Sequence, residues 1–193
     1  MATITKAVMF AAAKHTLQRR KNVSQSPYIE HPIRVAYILA NIGKVDCETC
    51  LAAAYLHDVI EDTNCTYDEI VKDFGKDIAD IVKEVSDDKS LPKVERKKLQ
   101  VLNAFKKSYG ARLVKLGDKL DNLTCLMSEV PVGWSQERVE GYFAWSYLVV
   151  DGLRGTNAAI EEELNKLFHQ VLPSSPSDIN DIVDRYYISL FTE

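Results

Sequence analysis

The chain has 193 residues, 46% of them hydrophobic and 27% charged, a composition that suits one globular domain with a substantial core. A net charge of −4 argues against a general nucleic-acid binder, because affinity for a phosphate backbone is built largely from clustered Lys and Arg. No stretch approaches the roughly 18 apolar residues of a membrane span, and Met1 to His15 lacks the pattern of a secretory signal, so a cytoplasmic location with no membrane partner is expected.

Apolar residues recur with a period of 3.6 and period-2 runs are absent, which predicts an all-α, compact helical bundle of about nine to ten helices. The first helix should run from about Ile4 to Gln18 and end in the polar loop Lys21–Ser26. Pro32 suits the first turn of a second helix, with His31 at its start and Gly43 at its end. Asp46 is the expected N-cap of a third helix reaching Glu61, before Asp62-Thr63-Asn64 breaks it. Cys47 and Cys50 form a lone CxxC with no second pair at zinc-ribbon spacing, and the four cysteines are expected to stay reduced.

Short helices should follow over Tyr67–Phe74 and Asp77–Val85, then Lys93–Lys107 and Ala111–Met127. Ser135 is the expected cap of a long helix to Leu153, and Thr156 the cap of another to His169. Pro173-Ser174-Ser175-Pro176-Ser177 looks like a hinge. Residues 1–170 therefore form the expected domain, and residues 171–193 an extension, with one terminal helix separated from the body.

In the third helix a step of about 100° per residue gathers His57, Asp58, Glu61 and Asp62 within an arc of about 140°, opposite the apolar Ala52, Leu56, Val59 and Ile60. Such a concentration of acid calls for compensating positive charge. In the helix Ala111–Met127, Asp118 and Asn122 lie off the stripe Leu113, Leu116, Leu120, Leu123 and Met127, as though one side faced core and the other an active site. Two His and two Asp make a mixed nitrogen and oxygen set suited to Mn²⁺, Fe²⁺, Zn²⁺ or Co²⁺. The basic runs Arg19-Arg20-Lys21 and Lys89, Lys93, Arg96, Lys97, Lys98 acquire meaning only beside a site that needs an anion.

The order His31, His57-Asp58, Asp118 resembles the HD superfamily of metal-dependent phosphohydrolases. Longer strings carry the resemblance further: His31-Pro32, Leu56 to Thr63, Val114 to Leu123, Arg19-Arg20-Lys21 before Pro27-Tyr28, Ser86 to Lys89, Gly133-Trp134-Ser135 and Tyr142-Phe143. Together they are similar to the hydrolase domain of the Rel/SpoT family, above all to its stand-alone small alarmone hydrolases in animals, over roughly Thr3–Phe168.

That resemblance implies an HD-type fold and a Mn²⁺-dependent enzyme that removes the 3′-pyrophosphate of guanosine tetraphosphate (ppGpp) and, in animal members, the 2′-phosphate of NADPH. It implies His31, His57, Asp58 and Asp118 as metal ligands, and Glu61 and Asp62 as the pair that orients and activates water. Arg20 and Lys21 would contact substrate, and Asn122, Arg138 and Tyr142 would line the nucleotide pocket. Gly117 stands where Ala is usual and is expected to loosen its helix, while Glu30 is expected to add negative charge near the metal. No synthetase-like domain follows, so degradation is the expected direction. The alternatives are another HD-type nucleotidase or phosphodiesterase and a non-catalytic, metal-stabilised nucleotide sensor.

Overall fold

The computed structural model describes residues 1–191, and these form eleven α-helical segments and no strand. Helix α1 (Ala2–Lys14) enters a polar loop that closes on itself, Arg20 N donating to Ser26 O and Tyr28 N to Gln18 O. Helix α2 (Glu30–Tyr37) continues into a π-helical turn, Ile38–Ile42, before Gly43. None of the described helices is long and apolar enough to cross a membrane.

The single helix expected from Asp46 to Glu61 is two pieces, α3 (Glu48–Leu56) and α4 (Val59–Asp62), divided at His57 and Asp58. Both residues keep near-helical backbone angles, so nothing in the apolar pattern marks the break. Asp46 does not cap α3. Cys47 does, its Sγ accepting from Cys50 N, and both cysteines stay unpaired. Helices α5 (Tyr67–Phe74) and α6 (Lys76–Val85) meet at Gly75, followed by α7 (Lys93–Asn103) and α8 (Tyr109–Ser128).

Ser135 caps α9 (Gln136–Asp151) through Arg138 N as expected. The cap of α10 (Ala158–Val171) is Asn157 instead of Thr156, whose hydroxyl turns back to Leu153 O. Both misplaced caps are one residue from the true one, because only the residue whose acceptor reaches the third helical N–H can serve.

Helix α8 is the axis of the bundle, with α2, α3, α6, α9 and α10 packed around it. Leu113, Leu116, Leu120 and Leu123 are buried as the stripe required, but Met127 is 45% exposed and Leu126 turns inward in its place. Val114, Lys115, Asp118, Lys119 and Asp121 are buried as well, so α8 is closed in on every side from Leu113 to Asp121 and the charged groups of that stretch lie inside the protein. Gly117 makes the close approach of α2 possible. A Cβ there would collide with Leu39 Cδ1 and lie 3.2 Å from Val35 Cγ1, so this glycine tightens the helix pair where loosening was expected.

The terminal helix α11 (Pro176–Ser189) is not separated from the body. It lies along α9, burying Ile179, Ile182 and Val183 against Ala144. Tyr186 covers Gly141, where an added Cβ would stand 2.7 Å from the Tyr186 Cβ. Gly141→Leu should lever α11 away and open the connection 172–175 to limited proteolysis, and Tyr186→Ala should cost about 3 kcal/mol in urea unfolding. Unchanged protease resistance in Gly141→Leu would mean that the contact is not tight in solution.

Candidate active site

Side chains from three parts of the fold converge on one point: His31 from the first turn of α2, His57 and Asp58 from the break between α3 and α4, and Asp118 from the middle of α8. His31 Nε2 lies 3.3 Å from Asp118 Oδ1 and 3.6 Å from Asp58 Oδ2. His57 Nε2 lies 3.0 Å from Asp58 Oδ2 and 4.0 Å from Asp118 Oδ1. The buried trio His31, His57 and Asp118 each offers a ligand atom within 4.8 Å of the others, so this cluster could hold a divalent metal ion.

The histidine tautomers suit that use. Carboxylates and carbonyls only accept, so His31 Nδ1 donates to Asp121 Oδ2 at 2.6 Å and His57 Nδ1 donates to Ala54 O at 2.8 Å. Each ring therefore turns Nε2 inward. His57 Nε2 is buried with no aligned hydrogen-bond partner, an orphan that an ion would satisfy. Burial opposes a charge on His57, yet Asp58 and Asp118 carry its pKa up to about 9. Burial would also raise both carboxyls, but the two imidazoles pull Asp58 below the usual carboxylate range, and Lys119 and His31 do the same for Asp118. The cluster attracts positive charge.

Glu61 and Asp62, at the end of α4, differ in their surroundings. Glu61 Oε2 accepts from Asp87 N at 3.0 Å, and Arg96 stands 3.9 Å from Oε1. Burial and the charge of Asp87 raise the Glu61 pKa. Asp62 has both oxygens engaged, one by Gln18 Nε2 at 2.9 Å and the other by Lys89 Nζ at 2.6 Å. The segment Ser86–Lys89 thus holds both acids, which gives that sequence motif a physical reason.

Two adjoining cavities lie at this end of the bundle, and the smaller opens onto the cluster. The larger, about 600 Å³, is walled by Arg20, Lys21, Arg34, Trp134 and Tyr142, and its size is that of a nucleotide-scale ligand pocket. The smaller, about 210 Å³, contains His31, Asp58 and Asp118 in its wall, and both share Tyr28, Asp62, Asn122 and Tyr142. Asn122 links the two: it donates to Asp118 Oδ1 at 2.6 Å and accepts from Arg20 Nη2 at 3.2 Å. Arg138 lines neither cavity. Its guanidinium stacks on Trp134, 4.2 Å from the ring centroid. Glu30 pairs with Arg34 at 3.4 Å in the larger cavity and does not join the cluster.

Several participants escaped the sequence reading. Asp121, which steadies His31 and receives Arg34 Nε at 2.6 Å, had a signal in its i+3 spacing from Asp118. Tyr28, whose hydroxyl donates to Asp58 Oδ2 at 2.6 Å, stood in one of the family-like strings, but nothing there marked its contact with Asp58. Lys115 and Lys119, set among the leucines of α8, were legible as misplaced charge.

Residues 7–140 match the family model described as HD domain. This chain belongs to the HD-domain family, in its Rel/SpoT-type hydrolase branch. It is 52% identical over 167 residues to guanosine-3′,5′-bis(diphosphate) 3′-pyrophosphohydrolase MESH1 of Xenopus tropicalis, covering 86% of this chain and 93% of that one. The Homo sapiens protein of the same name is 51% identical over 169 residues, covering 88% and 94%. A solved metazoan ortholog of SpoT, described as hydrolysing ppGpp, superposes with a TM-score of 0.86 at 48% identity, over 88% of this chain and 96% of its own.

In this HD-domain protein, Asp121→Ala should lower metal affinity about 10- to 100-fold, since the partner that orients a ligating imidazole is lost. Titration of the metal-stripped protein with Mn²⁺ measures it, and an unchanged affinity would remove Asp121 from the support of the site.

Proposed function

We propose that this chain is a metal-dependent ppGpp 3′-pyrophosphohydrolase, with Mn²⁺ at His31, His57, Asp58 and Asp118. The observation that carries the reading is the junction of two chambers: a nucleotide-sized cavity shares Tyr28, Asp62, Asn122 and Tyr142 with a small, charged one walled by His31, Asp58 and Asp118 of the cluster. The relatives' names support the choice of substrate.

In this reading the nucleoside lies in the larger cavity against the touching rings of Tyr142 and Trp134, with Arg20 and Lys21 toward its phosphates and Arg138 bracing Trp134. A divalent ion would supply positive charge to the attacked phosphoryl group and make a water at the site more acidic. Glu61 takes the water's proton, because burial and Asp87 raise its pKa and, among the described residues, Oε1 has only Arg96 beside it, 3.9 Å away. Asp62, with both oxygens held, orients. The water oxygen bonds to the phosphorus carried on the ribose 3′-oxygen, that P–O bond breaks, the ribose oxygen takes up a proton, and pyrophosphate is released.

The same step at a ribose 2′-phosphate would give NADPH phosphatase activity, which we propose as the second reaction. We assign the chemistry to residues 1–170, since every residue in the walls of the two chambers lies there, and residues 171–193 to support of α9. A cytoplasmic setting suits the four unpaired cysteines.

The test is to incubate the Mn²⁺-loaded protein with ppGpp and with NADPH and to measure released pyrophosphate and phosphate. Glu61→Gln should lower ppGpp turnover by about 10²- to 10⁴-fold while Mn²⁺ binding stays intact. No release from either nucleotide by the metal-loaded wild type would overturn the reading in favour of a nucleotide sensor or a different HD-type nucleotidase.

A further inference from the structure

Beyond the cluster, the smaller cavity is lined by five cationic side chains, Lys93, Arg96, Lys97, Lys115 and Lys119, and five acids, Asp58, Glu61, Asp62, Asp87 and Asp118. Cations and acids in that wall balance in formal charge. The cations are not spread evenly in their pairing. Lys119 Nζ pairs with Asp118 Oδ2 at 3.0 Å and Lys89 is taken by Asp62.

Lys97 is different. Its ammonium rests on the face of buried Trp145, 3.3 Å from the ring centroid, with the Tyr142 ring at 4.8 Å, and no carboxylate lies within ion-pair distance among the described residues. Lys119 approaches the same indole, 4.5 Å from its centroid. Trp145 Nε1 donates to the Lys97 carbonyl at 3.0 Å, so the ring that holds the ammonium also fixes the backbone carrying it. Burial and the neighbouring positive charges of Lys119 and Lys115 push the Lys97 pKa well down. A lysine held in this way, on an aromatic platform and without an anion, is organised for an anion that arrives with the substrate.

We propose that Lys97, seated on Trp145 beside Lys119, is a subsite for the second phosphate of a diphosphate ester, and so selects ribose diphosphates over ribose monophosphates. This rests on the hydrolase reading above and deepens it: the His/Asp cluster receives the phosphate to be attacked, and the α7 side of the cavity receives the one beyond it. A 2′- or 3′-monophosphate fills only the first position and leaves Lys97 without a partner. The cavity itself therefore ranks the two proposed substrates, with the diphosphate ester first.

The experiment compares wild type, Lys97→Met and Lys97→Arg on ppGpp and on guanosine 5′-diphosphate 3′-phosphate, which differ only in that second phosphate. In parallel, calorimetry follows binding of inorganic pyrophosphate and of orthophosphate to each Mn²⁺-loaded protein, with circular dichroism to check the fold. In Lys97→Met the ratio of kcat/KM for the diphosphate to that for the monophosphate should fall at least tenfold, chiefly through KM. The ratio of pyrophosphate to orthophosphate affinity should fall likewise, and Lys97→Arg should recover part of both. Equal losses on the two esters, or an unchanged affinity ratio, would overturn the subsite. If wild type cleaves neither ester, the hydrolase reading fails on its own, and the affinity ratio alone then decides for or against the Lys97 subsite.

Discussion

Everything in this fold turns on the burial of charge along α8. A helix at the centre of a bundle is ordinarily apolar on all sides, yet this one carries Lys115, Asp118, Lys119 and Asp121 into the interior. Each buried charge carries a desolvation penalty of several kcal/mol that only well-placed partners offset. Lys119 and Asn122 meet Asp118 within α8 itself, and the other partners come from α2: His31 and Arg34 reach Asp121, and His31 also faces Asp118. Packing of α2 against α8 is thus set by two demands at once, the steric one met at Gly117 and the electrostatic one met at Asp118 and Asp121. A structure built only for stability would replace these groups by hydrocarbon, and their retention is best understood as a requirement of the site.

The helical class, several helix ends and the His57-Asp58 pair were legible because they depend on local chemistry. Gly75 and Ser135 act where the chain itself places them, and the His57-Asp58 pair stands out by composition. What the sequence hid depends on distance along the chain. Tyr28 touches Asp58 across 30 residues, Gln18 touches Asp62 across 44, and Glu61 meets the Asp87 backbone across 26. No periodicity encodes such pairings. The run Lys93, Arg96, Lys97, Lys98 shows the same limit from another side. As a charge run it reads as a solvated helix face, and the fold sorts its members: Lys98 packs near the Tyr187 ring outside the cavities, while Lys97 turns inward onto Trp145.

The terminal helix illustrates how punctuation misleads. Pro and Ser between 173 and 177 suggest a hinge, but Pro176 stands at the first turn of α11, where a missing N–H is harmless. The chain turns there and packs back. Its receiving surface is written into α9 as two small residues, Gly141 and Ala144, which in a helix read alone would count as weak positions. Tyr142, next to that glycine, lines both chambers, so the helix braced from behind by α11 is the one that presents aromatic surface to the cleft.

The division of the cleft into two chambers explains why the acids sit where they do. A nucleoside is recognised over broad apolar and aromatic surface, which requires a roomy, partly open cavity. Hydrolysis of its phosphate requires concentrated, fixed charge in a narrow one, where low dielectric strengthens each interaction. Asn122 stands at the boundary, with Arg20 on the nucleoside side and Asp118 on the other. In the proposed reading a ribose held at that boundary would turn its phosphate to the cluster and its base to Trp134 and Tyr142, which separates recognition of the nucleoside from that of the phosphate.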